Sequence, residues 1–96
     1  MKELPRVSVA IITYQHENYV QECLESIVNQ QGLFELEIMI FDDHSQDGTL
    51  EQVRLFLQRT QLPARWSVEL YPSETNLGMV KNLERIVRTC AEKENE

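Results

Sequence analysis

The chain has 96 residues, 9 Lys+Arg against 16 Asp+Glu, a formal charge of −7, and 42% hydrophobic residues. That length supports one domain with a modest core. The acidic balance weighs against nucleic acid or an anionic membrane surface as the main partner. No apolar run approaches the roughly 20 residues of a membrane span, and no segment reads as a signal peptide. With 3 Gly, 3 Pro and 2 Cys, collagen-like, low-complexity and disulfide-scaffold chains are excluded.

Val7–Thr13 (VSVAIIT) is almost unbroken in apolar, β-branched residues, as expected of a strand covered on both faces of a parallel sheet. In the polar loop 14–18 that follows, Asn18 is a candidate N-cap. A helix then carries Tyr19, Val20, Cys23, Leu24, Ile27 and Val28 on one stripe and ends at Gly32. Residues 35–41 read as a second strand, with Ile38-Met39-Ile40-Phe41 too apolar for a one-sided sheet. After the loop 42–49, Leu50, Val53, Phe56 and Leu57 mark a second helix, and Pro63 breaks the chain. Trp66–Tyr71 is a third strand ended by Pro72. Beyond the loop 73–78, Met79, Val80, Leu83, Ile86, Val87 and Cys90 define the apolar stripe of a third helix. Its charged tail, from Glu92, is expected to fray. Both cysteines fall on apolar stripes and read as reduced core thiols. The order β-α-β-α-β-α predicts an α/β, Rossmann-like fold: a parallel sheet of three strands with alternating helices and right-handed crossovers.

Ligands of open parallel sheets bind beyond the carboxyl ends of the strands, here at loops 14–18, 42–49 and 73–78. The only three aspartates, Asp42, Asp43 and Asp47, all lie in the second of these. Asp47-Gly48 is a common turn pair. Asp42 and Asp43 are different: neighbouring carboxylates repel and a strand end needs neither, so they are candidate ligand contacts. An EF-hand opening at Asp43 fails, because the closing acid would fall at Arg54. A phosphoacceptor receiver is disfavoured, since no Asp follows position 47. Walker and dinucleotide glycine motifs are absent. His16 and His44 sit in separate loops with no Cys or third His nearby, so no metal site is expected.

Three segments together, VSVAIITY at 7–14, YVQECLESI at 19–27 and IFDDHSQDGT at 40–49, resemble the family 2 glycosyltransferases of the GT-A fold. Asn76-Leu77-Gly78 matches a further family landmark, and the likeness spans positions 7 to 90. Ile12 and Gln15 stand where the family often has Pro and Asn, and Met79-Val80-Lys81-Asn82 replaces its common Ala-Ala-Arg-Asn run.

The resemblance implies a cytoplasmic enzyme of cell-envelope polysaccharide synthesis. Such an enzyme transfers a sugar from a nucleotide-diphosphate sugar, a UDP-sugar by expectation, to an acceptor hydroxyl with inversion. It implies nucleotide-binding roles for Thr13, Tyr14, Asp42, Asp43, Lys81 and Asn82: a carboxylate for the uracil imide, Tyr14 against the base, a hydroxyl and backbone groups from Thr13 at the strand end, and Lys81 with the amides at the start of the third helix near the diphosphate. It further implies that residues 1–96 are the N-terminal nucleotide-sugar-binding half of a catalytic domain. In the family, the Asp-rich motif for a divalent cation (Mg or Mn) and the catalytic base come later, so no catalytic or metal-ligating residue is assigned and the chain alone is expected to be inactive. The alternatives are a non-catalytic nucleotide-sugar-binding module and, less well supported, a phosphoacceptor signalling domain. A half-sheet leaves a bare edge, so self-association is expected.

Overall fold

The computed structural model describes residues 4–29 and 34–94. The elements are β1 (Arg6–Thr13), α1 (Val20–Val28), β2 (Glu35–Asp42), α2 (Thr49–Arg59), β3 (Trp66–Pro72) and α3 (Gly78–Glu94). The strands form one parallel sheet in the order β1-β2-β3, with Thr13 beside Asp42 and Asp42 beside Pro72 at the carboxyl end. Gly32, the expected end of α1, lies outside the described residues. Among those described, no helix is long and apolar enough to cross a membrane.

Alternation along the strands divides the sheet into two unlike faces. On one, Leu36, Ile38 and Ile40 of β2 pack with Val20 and Leu24 of α1, Val53 and Phe56 of α2, and Trp66 of β3. The second face carries Met39 and Phe41, also buried, and Phe41 stacks on Tyr71 at 4.8 Å between centroids. Coverage on both faces therefore holds for β2. It does not hold for β1: this strand is an edge, and four of its eight residues, Ala10 included, are exposed.

Three further local expectations are corrected. Asn18 caps nothing, because α1 starts at Val20 and the His16 carbonyl accepts from the Tyr19 and Val20 amides at 2.9 and 2.8 Å. Cys23 is exposed rather than in the core, since the start of α1 turns Val20 and Leu24 inward instead. The tail does not fray at Glu92, for α3 continues to Glu94 with Lys93 anchored to the sheet.

The largest departure is the rotational setting of α3. Its expected core stripe faces out: Met79, Val80, Leu83 and Val87 are all at least half exposed. The polar residues Asn82, Arg85 and Lys93 face the sheet instead. Lys93 Nζ bonds Glu69 at 2.5 Å and pairs with Glu37 at 3.1 Å, while Arg85 donates to the Tyr71 carbonyl at 3.1 Å. The cause lies in the second sheet face, which presents Glu37, Glu69 and the carbonyl of Tyr71. Covering those groups with Leu83 and Val87 would leave them unpaired, at several kcal/mol per charge. Hydrogen bonds from Lys93 and then Tyr71 hold Glu69 below the usual carboxylate range. Hydrogen bonds to Glu69 and then Glu37 push Lys93 up. Burial, then the hydrogen bond to Glu69, raises the Tyr71 phenol to about 12.

Urea denaturation tests this arrangement. Ile38→Ala, at a fully buried site in the central strand, should cost about 2–5 kcal/mol. Leu83→Gln, on the outward stripe, should change stability by no more than about 0.5 kcal/mol.

Candidate functional site

At the carboxyl end of the sheet the first two loops are tied together side chain to backbone. The Gln15 side-chain oxygen accepts from the Gln46 and Asp47 amides at 2.6 and 3.2 Å, and the Gln15 amide donates to Ser45 Oγ at 2.9 Å. The His16 amide donates to Thr49 Oγ1 at 2.8 Å, and Glu17 exchanges contacts with Asp47 and Gly48. Gln15 and His44 both hold left-handed backbone, at φ 55° and 58°. Non-glycine residues persist there only when their surroundings fix them. Asp47 serves the turn: its Oδ1 accepts the amide and hydroxyl of Thr49. Burial raises the Asp47 carboxyl, but the Thr49 hydroxyl and amide and the Glu17 amide outweigh it and hold it low.

The adjacent aspartates point to opposite sides of the sheet, as neighbours at a strand end must. Asp42 is 0% exposed. Its Oδ1 accepts from the hydroxyls of Thr13 and Ser45, both at 2.7 Å, and its Oδ2 from the Ser45 amide at 2.8 Å. Thr13 is itself buried, so Thr13 and Asp42 clamp β1, β2 and the second loop into one rim.

Asp43 turns the other way, onto the start of α3. Its Oδ1 accepts from the Leu77 amide at 2.6 Å and its Oδ2 from the Gly78 amide at 3.1 Å. These are free donors of a helix N-terminus, where the dipole also favours a negative charge. Gly78 holds φ +82°, the turn into the helix that a side chain would strain. Burial alone would raise the Asp43 carboxyl. The amide of Leu77, the side chain of Asn82, the amide of Gly78 and the charge of Arg85 overcome it and set it below the usual range.

The remaining expected residues separate into two environments. Tyr14, the first residue after β1, is 47% exposed at the rim, and Lys81 is exposed on the first turn of α3. Asn82 is buried, 1% exposed, with Nδ2 donating to the Gly78 carbonyl at 2.9 Å and Oδ1 accepting from Arg85 at 2.9 Å. Arg85 has no place among the sequence-derived candidates. Its guanidinium lies 5.3 Å from the Phe41 ring centroid, above the buried face of the sheet. Its sequence signal is the stripe Asn82-Arg85-Thr89-Lys93 at helical spacing, which the stronger apolar stripe of the same helix masks.

No group of three or more His, Cys, Asp or Glu side chains among the described residues is placed to hold a metal ion. The aspartates do not fit one either. Asp42 and Asp43 diverge, one toward Thr13 and Ser45 and the other toward Leu77 and Gly78, so they do not converge on one ion.

Comparison with known proteins places this geometry among relatives. The family model described as glycosyl transferase family 2 matches residues 8–93. An uncharacterized glycosyltransferase of Haemophilus influenzae is 32% identical over 83 residues, 86% of this chain and 24% of that protein. The abequosyltransferase RfbV of Salmonella typhimurium is 36% identical over 78 residues, 77% of this chain and 23% of that protein. The chain thus spans about a quarter of the length of these relatives. Among solved structures, the mannosyltransferase PcManGT of Pyrobaculum calidifontis, in complex with GDP-Man and Mn2+, superposes with a TM-score of 0.75 at 22% identity. That match covers 93% of this chain and 25% of the other, and it shows the fold.

Acid titration should expose the Asp43 contact. A carboxyl lowered in the folded state contributes stability above the unfolded-chain value, about 4 for Asp, and loses it as pH falls through the folded value. Stability followed by circular dichroism should therefore be level from neutral pH to about 5 and fall below about 4. Asp43→Asn leaves one of two backbone donors facing an amide NH2, so it should cost about 1–3 kcal/mol at pH 7 and flatten the acid limb.

Proposed function

The chain belongs to glycosyl transferase family 2, and from that premise we propose that residues 1–96 form the donor-nucleotide half of a catalytic domain. The whole enzyme moves a sugar from a nucleotide-diphosphate sugar to an acceptor hydroxyl. The acceptor oxygen bonds to the anomeric carbon with inversion, the bond to the diphosphate oxygen breaks, and the diphosphate departs with the electron pair. The acceptor's proton passes to a base that is not among the residues described above.

One observation carries the reading: a carboxylate kept ionised and aimed at the rim where three βα loops meet. In the proposed site Asp43 accepts the imide N–H of the base, and Asp42 with Thr13 fixes the rim that holds it. Two amides and the Asn82 side chain satisfy Asp43 only in part, because a carboxylate has about four acceptor positions. Uracil presents an N–H to such a group. Cytosine and adenine present a ring-nitrogen acceptor at that edge, and two facing acceptors reject each other. Guanine also presents an N–H, so GDP is the competitor that any test must include. Tyr14 lies against the base, Lys81 faces the diphosphate from outside the first turn of α3, and Asn82 supports both Asp43 and the turn at Gly78. A divalent cation serving the donor would not take these aspartates as ligands, given their orientation and partners.

Titration with UDP, GDP, CDP and ADP, followed at the amides of Tyr14 and Asp43, tests the site. UDP should shift both amides at concentrations where CDP and ADP do not; equal response to all four would contradict it. Tyr14→Ala should weaken UDP binding by about 1–3 kcal/mol while changing stability by no more than about 0.5 kcal/mol.

We also infer that a second copy of the chain pairs with the β1 edge. The β3 edge is guarded by Glu69 and Pro72, whereas Val7–Thr13 carries no charge and no proline, the condition under which edges pair. It is also a neutral patch on a chain of charge −7, so copies meet there with least repulsion. Sedimentation at micromolar concentration should show a dimer that Ala10→Lys, at an exposed β1 position, converts to monomer. A monomeric native chain would refute the pairing.

A further inference from the structure

Arg85 is held against the second face of the sheet, and the function proposed above does not use it. Three contacts fix its planar head: Nη1 on Asn82 Oδ1 at 2.9 Å, Nη2 on the Tyr71 carbonyl at 3.1 Å, and the Phe41 ring 5.3 Å from its central carbon. Phe41 cannot yield, since it is 1% exposed and stacked on Tyr71. Asn82 in turn donates to the Gly78 carbonyl at 2.9 Å, and the amide of the same Gly78 donates to Asp43 Oδ2 at 3.1 Å. The Asn82 side-chain amide is therefore oriented by Arg85: with Oδ1 committed to the guanidinium, the NH2 must face the Gly78 carbonyl, beside the amide that holds Asp43. Reversing the amide would set NH2 against a cation and oxygen against a carbonyl.

We propose that Arg85 is a positioning residue of the donor site, acting through Asn82 to fix the direction and charge of the Asp43 carboxylate that selects the base. The inference rests on the assignment of Asp43 to base recognition. Arg85 touches no nucleotide in this account. It makes a fixed acceptor out of a side chain that could otherwise rotate toward solvent or take up a proton, and a protonated carboxyl would no longer discriminate uracil from cytosine. Lysine could keep the charge but not the two-pronged contact or the planar stacking on Phe41.

The test compares Arg85→Gln, Arg85→Lys and, as a control for simple anchoring of α3, Lys93→Gln. The carboxyl carbon of Asp43 is titrated by NMR without ligand, and UDP and CDP affinities are measured across pH on the same proteins. In Arg85→Gln the Asp43 titration should move upward, UDP affinity at neutral pH should fall about tenfold, and UDP binding should fail at a higher pH on acidification. Arg85→Lys should recover part of each effect, and Lys93→Gln should leave the Asp43 titration in place. An unmoved Asp43 titration in Arg85→Gln, or an equal movement in Lys93→Gln, overturns the proposal. If the native chain binds neither UDP nor GDP, the base-recognition reading falls, and with it the donor-site role of Arg85. The ligand-free titration then still reports whether Arg85 governs Asp43, which separates the two failures.

Discussion

The contact between the Asp43 carboxylate and the backbone amides of Leu77 and Gly78 is the constraint on which the rest of the rim depends. It joins the end of the central strand to the start of α3 and so decides where the third loop sits. It uses the electropositive end of a helix to keep a nearly buried acid ionised. That same end would otherwise be the obvious place for a phosphate. With Asp43 already there, the proposed site leaves the donor diphosphate to the flank of the helix, where Lys81 is exposed.

The two neighbouring acids divide the work because a strand end sends successive side chains to opposite faces. Asp42 is enclosed with Thr13 and Ser45 and makes the rim rigid. Asp43 faces the third loop and keeps a small accessible surface. The left-handed residues Gln15 and His44 lie beside this pair. Gln15 is not the residue type best suited to that backbone region, which after glycine is Asn. Its longer side chain reaches the Gln46 and Asp47 amides, and those bonds offset the less favourable conformation.

Much of this was legible in the sequence. The element order, the parallel sheet and the clustering of Thr13, Tyr14, Asp42 and Asp43 follow from apolar runs and from where polar residues interrupt them. Two features were not legible, and for one reason. Apolar periodicity marks the side of a helix that will be buried somewhere, but not what this part of the sheet demands of it. Met79, Leu83 and Val87 form a convincing core stripe, yet Glu37, Glu69 and Asp43 require cations and amides above them, so α3 turns Asn82, Arg85 and Lys93 inward. Asn18 failed as a cap in a similar way: the His16 carbonyl, positioned by loop-to-loop bonds that no local pattern encodes, took the amides at the helix start.

The most direct test observes the imide proton of UDP labelled at the ring nitrogen, mixed with the native chain and with Asp43→Asn. The expected result is a slowed, downfield imide resonance in the native mixture, with cross-relaxation to protons near Leu77 and Gly78, and its loss in the variant. An imide proton exchanging as freely with the native chain as in water, although UDP is bound, would contradict the assignment of Asp43 as the base acceptor.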